Sequence, residues 1–178
     1  MQFKKTTKLL IMLPVFLVVF LFAGNVFASE KINNFDAQIT VGSDGIVNVV
    51  ETIEYDFGTE QKHGIYRDIP MGNIYTIYHA PRGGNSIEVG PVTDDMGNFY
   101  QSEVTENKGV KNIRIGDPDK TITGVHKYFI NYTVTNALGY FADYDEIYWN
   151  VTGSGWEVPI LNATATVKLP NDAKPIDD

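Results

Sequence analysis

The chain has 178 residues, 22 acidic against 14 basic, for a net charge of −8. It contains no cysteine, which excludes disulfides and thiolate metal sites. So acidic a surface repels phosphate backbones, and nucleic acid is not an expected partner.

The N-terminus reads "MQFKKTTKLLIMLPVFLVVFLFAGNVFASEK". Lys4, Lys5 and Lys8 form a positive region, Leu9 to Phe22 is an apolar run of 14 residues, and Val26 and Ala28 occupy the positions that a signal peptidase reads. The pattern predicts a secretory signal over residues 1–28, cut after Ala28. An uncleaved anchor is the alternative, because Leu9 to Ala28 is just long enough to span a bilayer. Pro14 and the short apolar region favour the signal. No cysteine follows the run, so a lipoprotein anchor is not expected. Removing 28 residues leaves 150, with 11 basic against 22 acidic. That is the size of one domain able to bury a substantial core. The expectation is a single extracytoplasmic domain over 29–178, whose end, "NDAKPIDD", reads as a frayed tail or a truncation.

Period-two patterning dominates this domain. Phe35, Ala37, Ile39 and Val41 alternate with polar residues and predict a half-buried strand. "GSDG" is a turn, and Val47, Val49, Ile53, Tyr55 and Phe57 continue on one parity, completing an antiparallel hairpin. Glu51 interrupts that parity and predicts a bulge or a strand end. "GTEQKHGIYRDIP" reads as a loop, "NIYTIYHA" and "SIEVGPV" as strands, and "FYQSEVTENKG" with "VKNIRIG" as a hairpin. "GVHKYFINYTVTNAL" is the longest strand candidate. "TNALGYFADYDE" allows a helical turn or two, and "DEIYWNV" and "LNATATVKLP" close the set. About nine short strands, with turns at roughly ten-residue spacing, predict an all-β fold: an antiparallel β-sandwich, immunoglobulin-like in general architecture.

Several stretches resemble the domain-of-unknown-function family 2207, predicted bacterial and archaeal membrane proteins. They are "HGIYRDIP", "DEIYWNVTGSGWEVPI", the opening "NFDAQITVGSDGIVNVVETIEYDFG" and "YFINYTVTNALGYFADYDEIYWN", in that family's order. The resemblance spans about Phe35 to Pro170. It implies an extracytoplasmic β-sandwich at the N-terminus of a membrane protein, followed in the family by further strands and transmembrane helices. It implies no activity and supplies no catalytic residues.

The residues themselves offer few chemical constellations. In "HGIYRDIP", His63, Arg67 and Asp68 would be the acid–base set of an enzyme. The structural reading gives Gly64 a tight backbone position, makes plugs of Ile65 and Ile69, forks Arg67 onto a carboxylate and ends the segment at Pro70. Asp145 and Glu146 are the expected partners of Arg67, and they are also the carboxylates that an envelope polysaccharide hydrolase would use. As strand neighbours they point to opposite faces, which argues against joint catalysis. Trp149, on the strand of Ile147 and beside Asn150, is expected in the core. Trp156, after Gly153-Ser154-Gly155, is expected to cover a sheet end, with a glycan platform as the rival use. His63, His79 and His126 show no convergence for zinc. Asp117, Asp119, Asp143, Asp145 and Glu146 are the calcium candidates, against the ordinary role of aspartate in turns. "TGSGW" is not a serine elbow. Three Asn-x-Thr sequons, at Asn131, Asn150 and Asn162, fall in predicted strands. The expectation is a non-catalytic binding or assembly module of the cell envelope, with no cofactor. Its partner would be an envelope protein or a glycan, and membrane association would run through an uncleaved signal or a C-terminal segment. A sensor ectodomain is the alternative.

Overall fold

A computed structural model describes residues 29–71, 85–171 and 173–176. The expected signal and the strand expected in "NIYTIYHA" lie outside them. Ten strands run in order: β1 Lys31–Val41, β2 Val47–Asp56, β3 Ile65–Pro70, β4 Ser86–Val89, β5 Ser102–Asn107, β6 Val110–Ile115, β7 Val125–Thr135, β8 Leu138–Tyr140, β9 Asp145–Ile147 and β10 Ala163–Lys168. They form a five-stranded sheet, β10-β1-β2-β7-β4, a three-stranded sheet, β3-β6-β5, and the small β8-β9 pair. The fold is all-β, and no helix occurs among the described residues.

The two larger sheets share one apolar core. Phe35, Ile39, Val49, Ile53 and Ile130 come from the first, and Ile65, Ile69, Ile113 and Ile115 from the second. Strand alternation places these residues on one face, and their removal from water drives the two layers together. The β1–β2 hairpin turns at residues 42–45, where Ile46 N–H is capped by Asp44 Oδ1 and Gly45 takes a left-handed φ of 78°.

Four local expectations are corrected. The second half of "GTEQKHGIYRDIP" is strand β3, not loop: Ile65, Arg67 and Ile69 all face inward, and the arginine hides the period. Glu51 is neither a bulge nor a strand end. The β2–β7 ladder runs through it unbroken, from Val47↔Val134 to Asp56↔Val125, and the register shift falls in β1 between Ile32 and Asn34. "TNALGYFADYDE" makes the β8–β9 hairpin, with Gly139 opposite Glu146, instead of a helical turn. The pairing is not wholly antiparallel, because β10 runs parallel to β1, Phe35 opposite Ala163. The two strands are the first and last in the chain, so β2 to β9 together form the connection that parallel pairing needs. All of β10 is exposed, as befits an edge strand.

Candidate functional site

Two charged residues sit in the middle of the core. Glu51 is wholly buried and Arg67 is 1% exposed. Glu51 projects from β2, Arg67 from β3, and they meet between the sheets. Arg67 Nε donates to Glu51 Oε2 at 2.7 Å and Nη2 donates to Oε1 at 2.6 Å, a two-pronged contact that fits the planar fork. The remaining three N–H groups are also used. Nη2 donates to Val151 O at 3.2 Å, and Nη1 donates to Asp68 O at 2.8 Å and Thr152 O at 3.1 Å. All five guanidinium donors are therefore satisfied. Tyr132 Oη donates to Glu51 Oε1 at 2.6 Å, and the Phe35 ring lies 5.4 Å from Arg67 Cζ. Burial works against the Arg67 charge, but the hydrogen bonds and charge of Glu51 outweigh it and hold the guanidinium above its ordinary pKa. Burial also pushes the Tyr132 phenol well up, and the Glu51 charge adds to the shift.

The expected partners of Arg67 are thus replaced. Asp145 and Glu146 lie on β9, where they border a cleft with Gly45, Tyr140 and Leu169, and neither touches Arg67. The reason is strand parity: Glu51 is the carboxylate on an inward-facing register, directly across the core from β3.

What Arg67 does hold is the stretch "NVTGSGW". Its bonds to the carbonyls of Val151 and Thr152 draw that turn onto β3. Trp156 Nε1 donates to the same Thr152 O at 2.9 Å, and Asn150 Oδ1 accepts from Gly153 N–H at 3.1 Å. Gly153 has a φ of 73°, and a Cβ there would meet Arg67 Nη1 at 2.6 Å, so the position demands glycine on both counts. Trp156 is half-buried, edge-on to Phe35 at 6.3 Å and tilted against Tyr55 at 6.4 Å. Trp149 lies beyond the end of β9, not on a strand. It is half-buried rather than a full core residue, and it stacks on Tyr132 at 6.2 Å. Its indole N–H is shielded from solvent and meets the Tyr132 phenol too loosely for an ordinary hydrogen bond.

The remaining motif residues surround β3. Gly64, at a φ of 137°, passes so close to β6 that a Cβ would fall on the Ile115 carbonyl. His63 Nδ1 lies 2.9 Å from Lys120 O; a carbonyl only accepts, so the nitrogen carries the hydrogen. Asp68 points outward and accepts from Asn112 Nδ2. Pro70 ends the strand. His63, Arg67 and Asp68 therefore do not converge. His126 caps Thr123 O at 3.1 Å, and His79 lies outside the described residues. Among the described residues, no group of three or more His, Asp or Glu side chains could hold a metal. Asp117 receives Asp119 N–H at 2.9 Å and pairs with Lys120 at 3.0 Å, the ordinary work of a turn aspartate.

Outside the pinned turn lies an open groove of about 540 Å³. It is lined by Tyr66 and Asp68 of β3, by Gly155, Trp156 and Glu157, and by Tyr55, Glu30 and Lys62. The two motifs with no chemical assignment in the sequence both line it.

Fold and site together define a two-sheet β domain whose interior ion pair sets the position of a surface loop beside a groove. The chain belongs to the family described as the predicted membrane protein (DUF2207) N-terminal domain, whose model matches residues 31–177. The uncharacterized protein YciQ of Escherichia coli (strain K12) is 29% identical over 150 residues, which cover 81% of this chain and 23% of YciQ. The chain thus spans about a quarter of that relative's length. Among solved structures, native yeast LTA4 hydrolase overlaps 61% of this chain and 16% of its own, with a TM-score of 0.41 and 14% identity. An M1 zinc metallopeptidase from Deinococcus radiodurans overlaps 64% and 22%, with a TM-score of 0.40 and 12% identity. Likeness at that level carries no residue role and no activity to this chain.

Proposed function

We propose that this domain is a non-catalytic, extracytoplasmic binding or assembly module of an envelope membrane protein, and that the groove between β3 and the 155–158 segment is its binding surface. The observation that carries the reading is the use of the buried ion pair. Two donors of Arg67 fix it to Glu51 and the other three hold the groove's wall from within, while its outer side offers aromatic and carboxylate groups to solvent. A wall fixed before contact lowers the ordering cost of binding. The signal pattern at the N-terminus and the family's description as a membrane protein support the placement.

The absence of cysteine makes the test direct. Tyr66, 61% exposed at the groove, is replaced in a Tyr66→Cys variant. A membrane-impermeant maleimide should label it in intact cells, and a photo-crosslinker on the same thiol should give one discrete product that Trp156→Ala abolishes. No labelling would refute the location. No product, or the same product from Asn131→Cys on the outer face of β7, would refute the groove.

A further inference from the structure

We propose that the groove takes a cationic group, an alkylammonium or guanidinium on a short apolar stem. The proposal deepens the binding-module reading and rests on it. Three of the groove's donors are committed: Tyr55 Oη donates to Glu30 Oε2 at 2.8 Å, Trp156 Nε1 to Thr152 O at 2.9 Å, and Lys62 Nζ to Glu30 Oε1 at 2.7 Å. Asn112 has turned one of its amide hydrogens to Asp68 Oδ1. The acceptors are in surplus. Asp68 Oδ2 and the Glu157 carboxylate have no donor among the described residues. Lys62 is the lining's one cation against three carboxylates, Glu30, Asp68 and Glu157, and it is neutralised by Glu30. Burial chiefly raises the Tyr55 phenol, with Glu30 and then Glu157 adding to it, and the hydrogen bond and charge of Glu30 raise Lys62, with Glu157 contributing least.

The walls suit the stem of such a ligand. Half-buried Trp156, its N–H occupied, and Tyr66, 61% exposed, line the groove with aromatic surface, and Tyr55 beside Trp156 is only 6% exposed. An aromatic face beside a carboxylate attracts a cation through both the ring quadrupole and the charge. An anion would meet a net negative lining. A neutral sugar could donate its hydroxyls to the two carboxylates but would leave them without counter-charge.

The test is titration of the folded 29–178 chain by tryptophan fluorescence at low and high salt, with Glu157→Gln and Asp68→Asn as variants. The probes are a lysine-bearing tripeptide blocked at both ends, its norleucine isostere, spermidine, and neutral chitotetraose. Lysine peptide should bind at least tenfold more tightly than norleucine peptide and weaken at 0.5 M salt. Each variant should lose several-fold in affinity, and Glu157→Gln should leave the thermal midpoint unchanged because Glu157 is exposed. Spermidine equalling the peptide would assign the group to a free polyamine, and a preference for the peptide would assign it to a protein partner. Norleucine peptide binding as well as lysine peptide would overturn the proposal. So would chitotetraose binding that Trp156→Ala abolishes while the cations fail, an outcome that leaves the groove as the binding surface. Failure of every probe together with a missing crosslink would remove both readings.

Discussion

Replacing Arg67 by methionine strands the carboxylate of Glu51 in a site with no solvent access, with Tyr132 as its one remaining donor among the described residues. Removing one partner of a buried ion pair costs about 3–5 kcal/mol, because the remaining charge is neither hydrated nor balanced. Glu51→Gln leaves the opposite problem, and a worse one. A stranded carboxylate can shed its charge by taking up a proton, whereas a guanidinium cannot lose one at any ordinary pH. Glu51→Gln should therefore cost at least as much as Arg67→Met. A domain of this size has roughly 5–15 kcal/mol in total, so either loss is a large share of it. The double variant Glu51→Met/Arg67→Met leaves no charge behind, and apolar replacements of buried ion pairs are often neutral. It should recover most of the stability. It cannot restore the donors to Val151 O and Asp68 O, so the 151–155 turn should exchange its amide hydrogens faster than in the native chain. The assays are urea unfolding of the three variants at 25 °C and hydrogen exchange at Gly153 and Gly155. The two single losses should be far from additive, with a coupling at or above the ~0.5–3 kcal/mol usual for residues in contact. Asp145→Asn and Glu146→Gln should show no coupling to Arg67. Single losses that add, or that stay within about 0.5 kcal/mol, the range of ordinary surface changes, would refute the central role of the pair.

Alkaline pH should unfold the domain. Burial raises the phenols of Tyr128 and Tyr132 above their ordinary pKa of about 10, and Tyr100 to about 12. A raised folded pKa means that the neutral phenol is favoured in the fold, so its contribution is intact below pH 10 and is lost as pH rises towards the folded value. The urea midpoint should fall steadily above pH 10, and a flat profile to pH 11 would contradict the shifts. Gly64→Ala should prevent folding or cost several kcal/mol because its Cβ meets backbone, whereas Gly97→Ala, at a φ of 82° but facing open space, should cost about 1–2 kcal/mol for its backbone alone; similar midpoints in thermal melts would refute the distinction. Trp149→Phe removes an N–H that has no proper acceptor and should cost less than Trp156→Phe, which breaks the bond to Thr152 O. The reverse order in urea would show that Trp149 carries the hidden contact.

The sheets were readable because alternation survives in the residues that line the core. β1, β2, β6 and β7 appear where the parity of Phe35, Val49, Ile113 and Ile130 puts them. The short β8–β9 hairpin was not readable, because three residues a side carry too little pattern to compete with the helical look of "NALGYFADYDE". The parallel seating of β10 was not readable either. Period two fixes which face a strand shows, not the direction in which its neighbour runs.

The ion pair itself was half legible, and the missing half shows what to look for. Glu51 sits on the inward parity of Val47, Val49, Ile53 and Tyr55, and Arg67 sits on the inward parity of Ile65 and Ile69. A charge that interrupts an apolar parity looks like an error in one strand, and reading Glu51 as a bulge treats it as one. Two such charges of opposite sign, on two different strands, are each other's explanation. Neither can be buried alone, and a shared core is the one place where both parities point. What no parity could supply is the rest of the arginine's shell. Two of its acceptors are carbonyls of Val151 and Thr152, in a stretch without regular structure, and backbone oxygens leave no mark on residue type. The trace they do leave is indirect. Gly153 is required because Arg67 occupies the space that its side chain would fill, and at Gly155 a Cβ would stand about 3.3 Å from the Asp68 side chain, a tight fit. The two glycines of "TGSGW" mark the close approach of "YRD", and together the two motifs form the walls of one groove.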